Sequence, residues 1–234
     1  MADDAVRLLS TLALQGAVVR LGGQFEAATG IRIDAEFAPT VGLLPRLRGG
    51  EAADLVILTR EGLDELADEG RLIASTRTDL ARSFVGLAVQ AGTKHPDIGT
   101  VGALRMALLA ARSVAYSRIG ASGIYFAQLI EQLGIAAEIN AKATIVASGF
   151  TAERLLSGEA DLAIQQISEL KQVDGIEVVG AIPPELQTPA LFSAGITVSA
   201  KRRNEAERLL RYLTSSEVAP VLRETGLEPL NLPP

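Results

Sequence analysis

The chain has 234 residues, of which 48% are hydrophobic and 21% are charged, and its formal net charge is −6. This length suits one large domain or two lobes of roughly 100 residues each. The acidic balance, the scattered Lys and Arg residues and the aromatic content of 4% argue against nucleic acid as a partner. The chain contains no Cys, which excludes disulfides and thiolate chemistry.

Membrane insertion is not expected, although the mean hydropathy of +0.26 is high. No apolar run reaches the roughly 20 residues that cross a bilayer. Ala, Leu, Ile and Val are instead spread over many short segments, as is typical of strands that helices bury on both faces. The single histidine, His95, stands beside Pro96 in a polar turn and is predicted to lie at the surface. No metal site and no cofactor is therefore expected.

Residues 1–4 show neither the basic region nor the apolar segment of a secretory leader. As it stands, the sequence predicts a cytoplasmic protein, or a periplasmic one if Met1 is an artificial start that replaced a leader.

Strand and helix patterns alternate from the beginning of the chain. The hydrophobic spacing predicts strands at 6–11, 31–37 and 54–58 and helices at 15–29, 41–48 and 61–67. Gly30 is a candidate C-cap of the first helix. The order βαβαβ predicts a parallel sheet with right-handed crossovers.

The alternation continues over the rest of the chain. We expect strands at 83–90, 113–116, 143–146, 161–164, 177–179 and 191–198, and helices at 101–111, 122–133, 151–156, 205–214 and 217–224. The predicted fold is α/β with two lobes, each an open, mostly parallel sheet flanked by helices, and with a ligand cleft between the lobes. Lobe 1 would comprise residues 1–82 and 192–234. Lobe 2, residues 83–191, would be inserted through two crossover segments.

Several strand–helix turns carry groups that could hold a ligand, because ligands of open α/β sheets bind where strands end and helices begin. In the first lobe these are the hydroxyls of Ser10, Thr11 and Thr40. Each of them could equally act only as a helix cap. Thr59 is interpreted mainly as a cap.

The turn at residues 116–125 is the most informative of the second lobe. Its small residues, Ser122 and Gly123 among them, lead directly into a helix, so that several backbone N–H groups can converge on an anion. Arg118 could add a bidentate contact to a carboxylate or phosphate. The alternative is a capped helix with a surface arginine. Neither the P-loop nor the dinucleotide-binding spacing is present.

Two further turns of the second lobe are candidates. The turn at residues 148–151, with Gly149, offers more N–H groups, and one of the adjacent amides Gln165 and Gln166 is expected to donate to an anion. Asp54 and Asp161 each follow Ala and open a strand, which predicts structural equivalents in the two lobes and not catalysts.

Residues 24–30, 50–58, 121–125 and 158–164 carry a resemblance to a known family. There the chain resembles type 2 periplasmic binding proteins and, within them, the molybdate-binding proteins of ABC importers. The resemblance implies a monomer that closes on a small anion, held without counter-charge by hydroxyls and N–H groups, and that delivers it to an ABC permease. The positions that match the family's binding residues are 11–13, Thr40, Ser122, 148–150 and Gln166.

This sequence departs from the family pattern at Ala13, where the family carries serine, and at Gln166, where it carries tyrosine. Arg118 is an addition that a molybdate site does not need. These departures favour a ligand that bears carboxylates.

The same branch resembles one that includes aconitate isomerase, which makes a cofactor-free isomerase the alternative function. A 1,3-proton shift in a small tricarboxylate needs a base and donors that stabilise the developing charge. The candidate bases are Glu169, Tyr116 and Tyr125. A ligand-sensing module of the cytoplasm is a third hypothesis.

Overall fold

The computed structural model describes residues 5–230, which form two compact units. Unit 1 comprises the described residues up to Arg82 together with those from Ala190 onward, and unit 2 is Ser83–Pro189. The sequence placed the second of these boundaries at residue 191. Residues 1–4, on which the expectation about a leader rests, lie outside the described residues. Between residues 5 and 230, no helix is long and apolar enough to cross a membrane.

Unit 1 begins with three strand–helix pairs and a fourth strand. They are β1 (Ala5–Ser10), α1 (Gln15–Thr29), β2 (Arg32–Phe37), α2 (Thr40–Arg48), β3 (Leu55–Thr59), α3 (Arg60–Asp68) and β4 (Thr78–Ser83). Helix α1 buries Val18, Leu21 and Phe25, the spacing that predicted it. Gly30 caps this helix with a φ of 72°, a left-handed conformation that glycine adopts without a steric penalty.

The chain then builds unit 2 and returns to unit 1. Unit 2 contains β5 (Val85–Gln90), α4 (Val101–Ala110), β6 (Val114–Ser117), α5 (Ala121–Gln132), α6 (Ala136–Ala141), β7 (Ala143–Val146), α7 (Glu153–Leu156), β8 (Leu162–Gln166), α8 (Ile167–Leu170) and β9 (Ile176–Ala181). The final elements of unit 1 are β10 (Ala190–Ile196), α9 (Arg203–Leu213), α10 (Ala219–Glu224) and β11 (Glu228–Pro229). The hydrophobic spacing of the sequence did not predict β4, α6, α8 or β11.

The sheet of unit 1 has the strand order β11-β4-β10-β3-β1-β2. Strand β1 pairs in parallel with both β2 and β3, as the βαβαβ order predicted. Strand β10 joins β3 in the antiparallel direction, and β11 joins β4 in the same way.

The sheet of unit 2 has the order β7-β6-β8-β5-β9. Strand β6 is parallel to β7 and β8, whereas β5 is antiparallel to β8 and β9. Four of the five strands of this sheet therefore run in one direction, as expected of a mostly parallel sheet, and the reversed β5 makes it mixed. In unit 1, β10 is reversed in the same way beside the parallel strands β1, β2 and β3. The reason is that β5 and β10 are the first strands after each passage between units, so no βαβ crossover fixes their direction.

Both sheets are covered by helices on their two faces, which explains the short, continuous apolar strands. In β3, Leu55 and Ile57 pack on the side of α1, α9 and α10, while Val56 and Leu58 pack on the side of α2 and α3. Strand β8 of unit 2 divides its side chains between two core clusters in the same manner. The strands β1, β2, β3, β6 and β8 end in turns that carry polar side chains.

Candidate functional site

The first turn of unit 1 contains a largely buried residue, Thr11, whose hydroxyl has no partner in the described part of the chain. Thr11 has an extended backbone before the 3-10 turn Leu12–Leu14, and its N–H donates to the carbonyl oxygen of Ile57 at 2.8 Å. Thr11 is 6% exposed as a residue, and its hydroxyl has no hydrogen-bond partner among residues 5–230. The Ser10 hydroxyl, which is fully buried, donates to the carbonyl oxygen of Thr11.

The second turn of unit 1 uses its hydroxyls within the protein. Thr40 is the first residue of α2, and Pro39 occupies the N-cap position without a side-chain hydrogen bond. The Thr40 hydroxyl accepts from the Thr59 N–H at 3.1 Å. The Thr59 hydroxyl in turn accepts from the Gly62 N–H, so Thr59 is the helix cap that its position predicted.

The turn between β6 and α5 presents the corresponding group in unit 2. The N-cap of α5 is Gly120, which offers no side chain to the free N–H groups of the first turn. Ser122 is 3% exposed, and its hydroxyl has no hydrogen-bond partner in the part of the chain that the structure describes. A Cβ on Gly123 would lie 1.6 Å from the Ser117 carbonyl oxygen, so only glycine lets this helix start so close to β6.

Arg118 extends from the same turn and is exposed. Its Nη2 lies 3.5 Å from Asn140 Oδ1, at the limit of a hydrogen bond. Asn140 Oδ1 accepts a much shorter bond, of 2.6 Å, from the Tyr116 hydroxyl. The guanidinium therefore keeps most of its donors for another acceptor.

Both tyrosines proposed as bases donate their hydroxyl protons to protein acceptors. Tyr116 donates to Asn140, and the Tyr125 hydroxyl donates to the Leu186 carbonyl oxygen at 2.6 Å. Burial also raises the pKa of Tyr125 to about 12, because the charged phenolate is poorly solvated there. Each hydroxyl proton is thus already engaged in a hydrogen bond within the protein.

The side chain of Gln165 shapes the Gly149 turn. From the sequence, Gln165 was only one of two adjacent amides that could donate to an anion. Gln165 Oε1 accepts from the Thr151 N–H at 2.7 Å and from the Thr151 hydroxyl at 3.0 Å. Its Nε2 donates to the Gly149 carbonyl oxygen at 3.2 Å. Gly149 itself has a φ of 82°, which favours glycine. Gln165 thus positions the turn, and its place at the end of a buried strand was the only signal in the sequence.

Gln166 directs its amide toward its own unit. The side chain is 2% exposed, and its amide nitrogen, assigned from its surroundings, donates to the carbonyl oxygens of Ser83 and Phe84 at 3.3 and 3.2 Å. Its oxygen accepts from the Glu169 N–H, and a Glu169 oxygen accepts from the Gln166 N–H, which forms a capping box. The amide N–H groups of Gln166 therefore already have partners within the protein. The ligand role assigned to Gln166 stays a prediction.

Glu169 is the most unusual titratable group of unit 2. Only 8% of the residue is exposed. Burial raises the pKa of its carboxyl to about 7, and hydrogen bonds from the Gln166 N–H and the Gln165 side chain offset part of that effect. A carboxyl with this pKa can both take up and release a proton near neutral pH.

Asp54 and Asp161 perform the structural role expected of them. Asp54 Oδ2 accepts from the Arg7 N–H at 2.8 Å, and Asp161 Oδ2 accepts from the Arg112 N–H at 2.8 Å. Each carboxylate therefore ties the start of a strand to its neighbour. Among residues 5–230 there is no cluster of three or more His, Asp or Glu side chains that could hold a metal ion.

The structure thus collects the candidate residues into separate groups. In unit 2, Gly149, Gln165, Gln166 and Glu169 belong to one hydrogen-bonded network, while Ser122 and Gly123 form the start of α5. In unit 1, Thr11 and Thr40 follow neighbouring strands of one sheet. The common element is a strand that ends at a helix start with a buried polar side chain.

Two α/β lobes with mixed sheets and helix starts at the strand ends define the fold of two-lobed periplasmic binding proteins. The periplasmic molybdate-binding protein of Azotobacter vinelandii has this fold, with a TM-score of 0.80 at 18% identity over 95% of this chain and 98% of that one. This chain belongs to the family of bacterial extracellular solute-binding proteins, whose sequence pattern matches residues 6–228.

Two relatives are similar over most of the sequence. An aconitate isomerase from a Pseudomonas species is 34% identical over 97% of this chain and 88% of its own length. The molybdate-binding protein ModA of Azotobacter vinelandii is 25% identical over 88% of this chain and 82% of its own.

Proposed function

We propose that this solute-binding protein takes a small carboxylate-bearing anion as its ligand. The observation that carries the proposal is a pair of hydroxyls without partners among residues 5–230 on otherwise buried residues, Thr11 in unit 1 and Ser122 in unit 2, each at a helix start that no side chain caps. Neither hydroxyl oxygen is among the fully buried atoms that lack a partner, so both are accessible to solvent. A ligand oxygen can therefore reach each hydroxyl and accept its hydrogen bond.

The helix starts add electrostatic attraction for an anion. The first N–H groups of a helix lack partners within it, and the helix dipole places partial positive charge there. Gly123 lets the first turn of α5 approach the Ser117 carbonyl more closely than any other residue would allow. The N–H groups near Ser122 are thereby fixed in place before a ligand arrives.

Carboxylate is favoured over molybdate by two findings. Arg118 has spare donors for a planar oxyanion and makes only a long contact to Asn140. The relative named as an aconitate isomerase is also more similar to this chain than the relative named as a molybdate-binding protein, at 34% against 25% identity.

Isothermal titration calorimetry against trans-aconitate, cis-aconitate, citrate, molybdate and sulfate tests this proposal. We expect saturable binding of at least one tricarboxylate and weaker binding of molybdate. Ser122→Ala and Arg118→Ala should each weaken tricarboxylate binding by about tenfold or more. Ser157→Ala removes an exposed hydroxyl that bonds to Glu159, and it should leave the affinity unchanged. Full affinity in both site variants would overturn the proposal.

Isomerisation of the bound acid is a second candidate function, and Glu169 is the observation that favours it. Its buried carboxylate would remove a proton from the methylene carbon of aconitate. The double bond would move to that carbon, and the Glu169 carboxyl, whose proton can exchange with solvent, would deliver a proton to the former alkene carbon. No oxidant or cofactor is needed. Hydroxyl and N–H donors would stabilise the charge that develops on the neighbouring carboxylate.

Proton NMR of trans-aconitate in D2O distinguishes the two functions. An isomerase would produce cis-aconitate and exchange the methylene protons for deuterium, and Glu169→Gln should lower both rates by at least about 100-fold. Glu153→Gln changes an exposed acid of the same unit and serves as the control. Binding without exchange supports the binding protein alone, and we propose an ABC permease as its partner. Exchange that survives in Glu169→Gln would exclude Glu169 as the base.

A further inference from the structure

Unit 2 contains a cavity of about 670 Å³ whose lining includes His95, Arg112 and Asp161 but none of the candidate anion-binding residues. It lies where β8 begins and β5 ends, because Leu162 and Val89 are among its walls. Gln166 stands at the other end of β8, so the cavity lies at the end of this sheet away from the turns that carry Ser122 and Gln166 (the anion turns). Its size is that of pockets that hold small organic molecules.

One wall of this cavity is made largely of small apolar side chains. Ala107, Ala110 and Ala111 come from the end of α4, and Leu155, Ala160 and Leu162 come from the segment that leads into β8. The side chains of these residues are apolar and mostly short, so they leave the volume open and give the cavity an apolar wall. Such a wall suits an apolar body and gains free energy by removing it from water.

The charged groups at the rim are all engaged within the protein except one. The Arg112 guanidinium donates to Asp161 at 2.9 Å and to the Gly158 carbonyl oxygen at 3.2 Å. Asp97 Oδ1 accepts from the Gly99 N–H at 2.9 Å. Lys94 has no hydrogen bond or ion pair with any of residues 5–230.

The rim segment that carries Lys94 is held in place. Glu177 of β9 accepts from the Gly92 N–H at 3.1 Å and lies 2.6 Å from His95 Nε2. In the same segment, the Thr93 hydroxyl donates to the Gln90 carbonyl oxygen at 2.7 Å. The cavity is therefore formed before any ligand enters, which lowers the entropic cost of binding.

We propose that this cavity is a second ligand site, for a small molecule with an apolar body and a single anionic group that pairs with Lys94. The charge balance supports one negative charge, because Lys94 is the unpaired cation and the nearby carboxylates already have partners. The site is separate from the anion turns, and it stands whether or not the proposed function is correct.

Anilinonaphthalene sulfonate, an apolar fluorophore with one negative charge, is a suitable probe for the full chain. We expect one equivalent to bind with enhanced emission. Octanoate should displace it, whereas octanamide, which lacks the charge, should not. Lys94→Gln should weaken binding about five- to tenfold, and Lys94→Arg should restore most of it.

Two tryptophan substitutions on α4 locate the bound probe. Ala110→Trp fills the cavity and should abolish saturable binding, while Met106→Trp, at an exposed position of the same helix that does not line the cavity, should leave it intact. Circular dichroism and the thermal unfolding midpoint show whether both variants fold. Equal effects of the two substitutions, displacement by octanamide as well as by octanoate, or unchanged affinity in Lys94→Gln would overturn the proposal.

Discussion

Residues 53–62 of unit 1 and residues 160–169 of unit 2 are two versions of the same ten-residue segment. Each begins with Ala-Asp, continues as a buried strand (β3 or β8) and passes into a helix (α3 or α8) without a loop. The aspartate accepts a backbone N–H from the neighbouring strand region in both. The last strand residue, Thr59 or Gln166, accepts from the N–H of the third helix residue.

The segments differ at that third helix position, which is Gly62 in unit 1 and Glu169 in unit 2. A Cβ on Gly62 would lie 2.5 Å from the Thr40 methyl carbon, so glycine allows α2 and α3 to pack closely. Unit 2 instead accommodates a buried carboxyl whose pKa is about 7. One backbone frame thus supports close helix packing in one unit and a titratable group in the other.

The largest expected effect concerns the two aspartates. Asp54 is buried and accepts from three backbone N–H groups, those of Arg7, Lys201 and Arg202, at 2.8, 2.8 and 3.0 Å. Asp54→Ala should lower the free energy of unfolding by about 3 kcal/mol, because those donors lose their partner. Asp161→Ala should cost only about 1 kcal/mol, because Asp161 is half-exposed and bonds mainly to Arg112. Urea unfolding measures both, and equal losses would contradict the difference in burial.

Glu169 makes the stability of unit 2 depend on pH. Burial raises its pKa to about 7, so the folded protein holds the proton in a range where the unfolded chain has released it. Stability should therefore fall as the pH rises from 5 to 8, by about 2 kcal/mol relative to Glu169→Gln. Urea unfolding of both proteins at several pH values checks this. A constant difference between them would show that the carboxyl is not perturbed.

Gly62 offers a double-mutant test of close packing in unit 1. Gly62→Ala should cost about 1.5 kcal/mol, because its methyl group meets the methyl group of Thr40. Thr40→Ser removes that methyl group and keeps the hydroxyl that accepts from Thr59. In the double variant most of the loss should be recovered. Additive effects would place the strain elsewhere.

The smallest effect is expected at the helix cap. Thr59→Ala removes the acceptor of the Gly62 N–H and should cost about 1 kcal/mol. Thr59→Ser keeps the oxygen and should cost less than half as much. The thermal unfolding midpoint is sufficient to rank the two variants. A serine variant as unstable as the alanine variant would assign the loss to the methyl group and not to the cap.

The sequence predicted most of the regular elements and the parallel pairing of β1 with β2 and β3, but it did not predict the reversed strands β5 and β10. Periodicity located α1 and β3 within one residue, because apolar spacing is a local property. Strand β4 was missed because it carries Asp79 and Arg82 among its residues, and it is stabilised by partners such as Arg60 that are far away in sequence. The antiparallel direction of β5 and β10 likewise depends on long-range pairing.

The same distinction applies to the candidate site. Hydroxyls and glycines at strand ends were recognisable from sequence, including Thr11, Ser122 and Gly123. The partners of these groups were not, since Gln166 bonds to a segment 82 or more residues away and Thr40 bonds to Thr59. Only the structure shows which hydroxyls remain free.

The position of β10 has a consequence for the order in which the nascent protein folds. It lies between β3 and β4 in the sheet of unit 1, yet it follows the whole of unit 2 in the chain. While the ribosome makes residues 83–189, the first 82 residues have an unfilled place in their sheet and an exposed strand edge at β3, which is open to mispairing. All strands of unit 2 are synthesised before β10. Unit 1, although its synthesis begins first, can therefore complete its sheet only after unit 2 has been made.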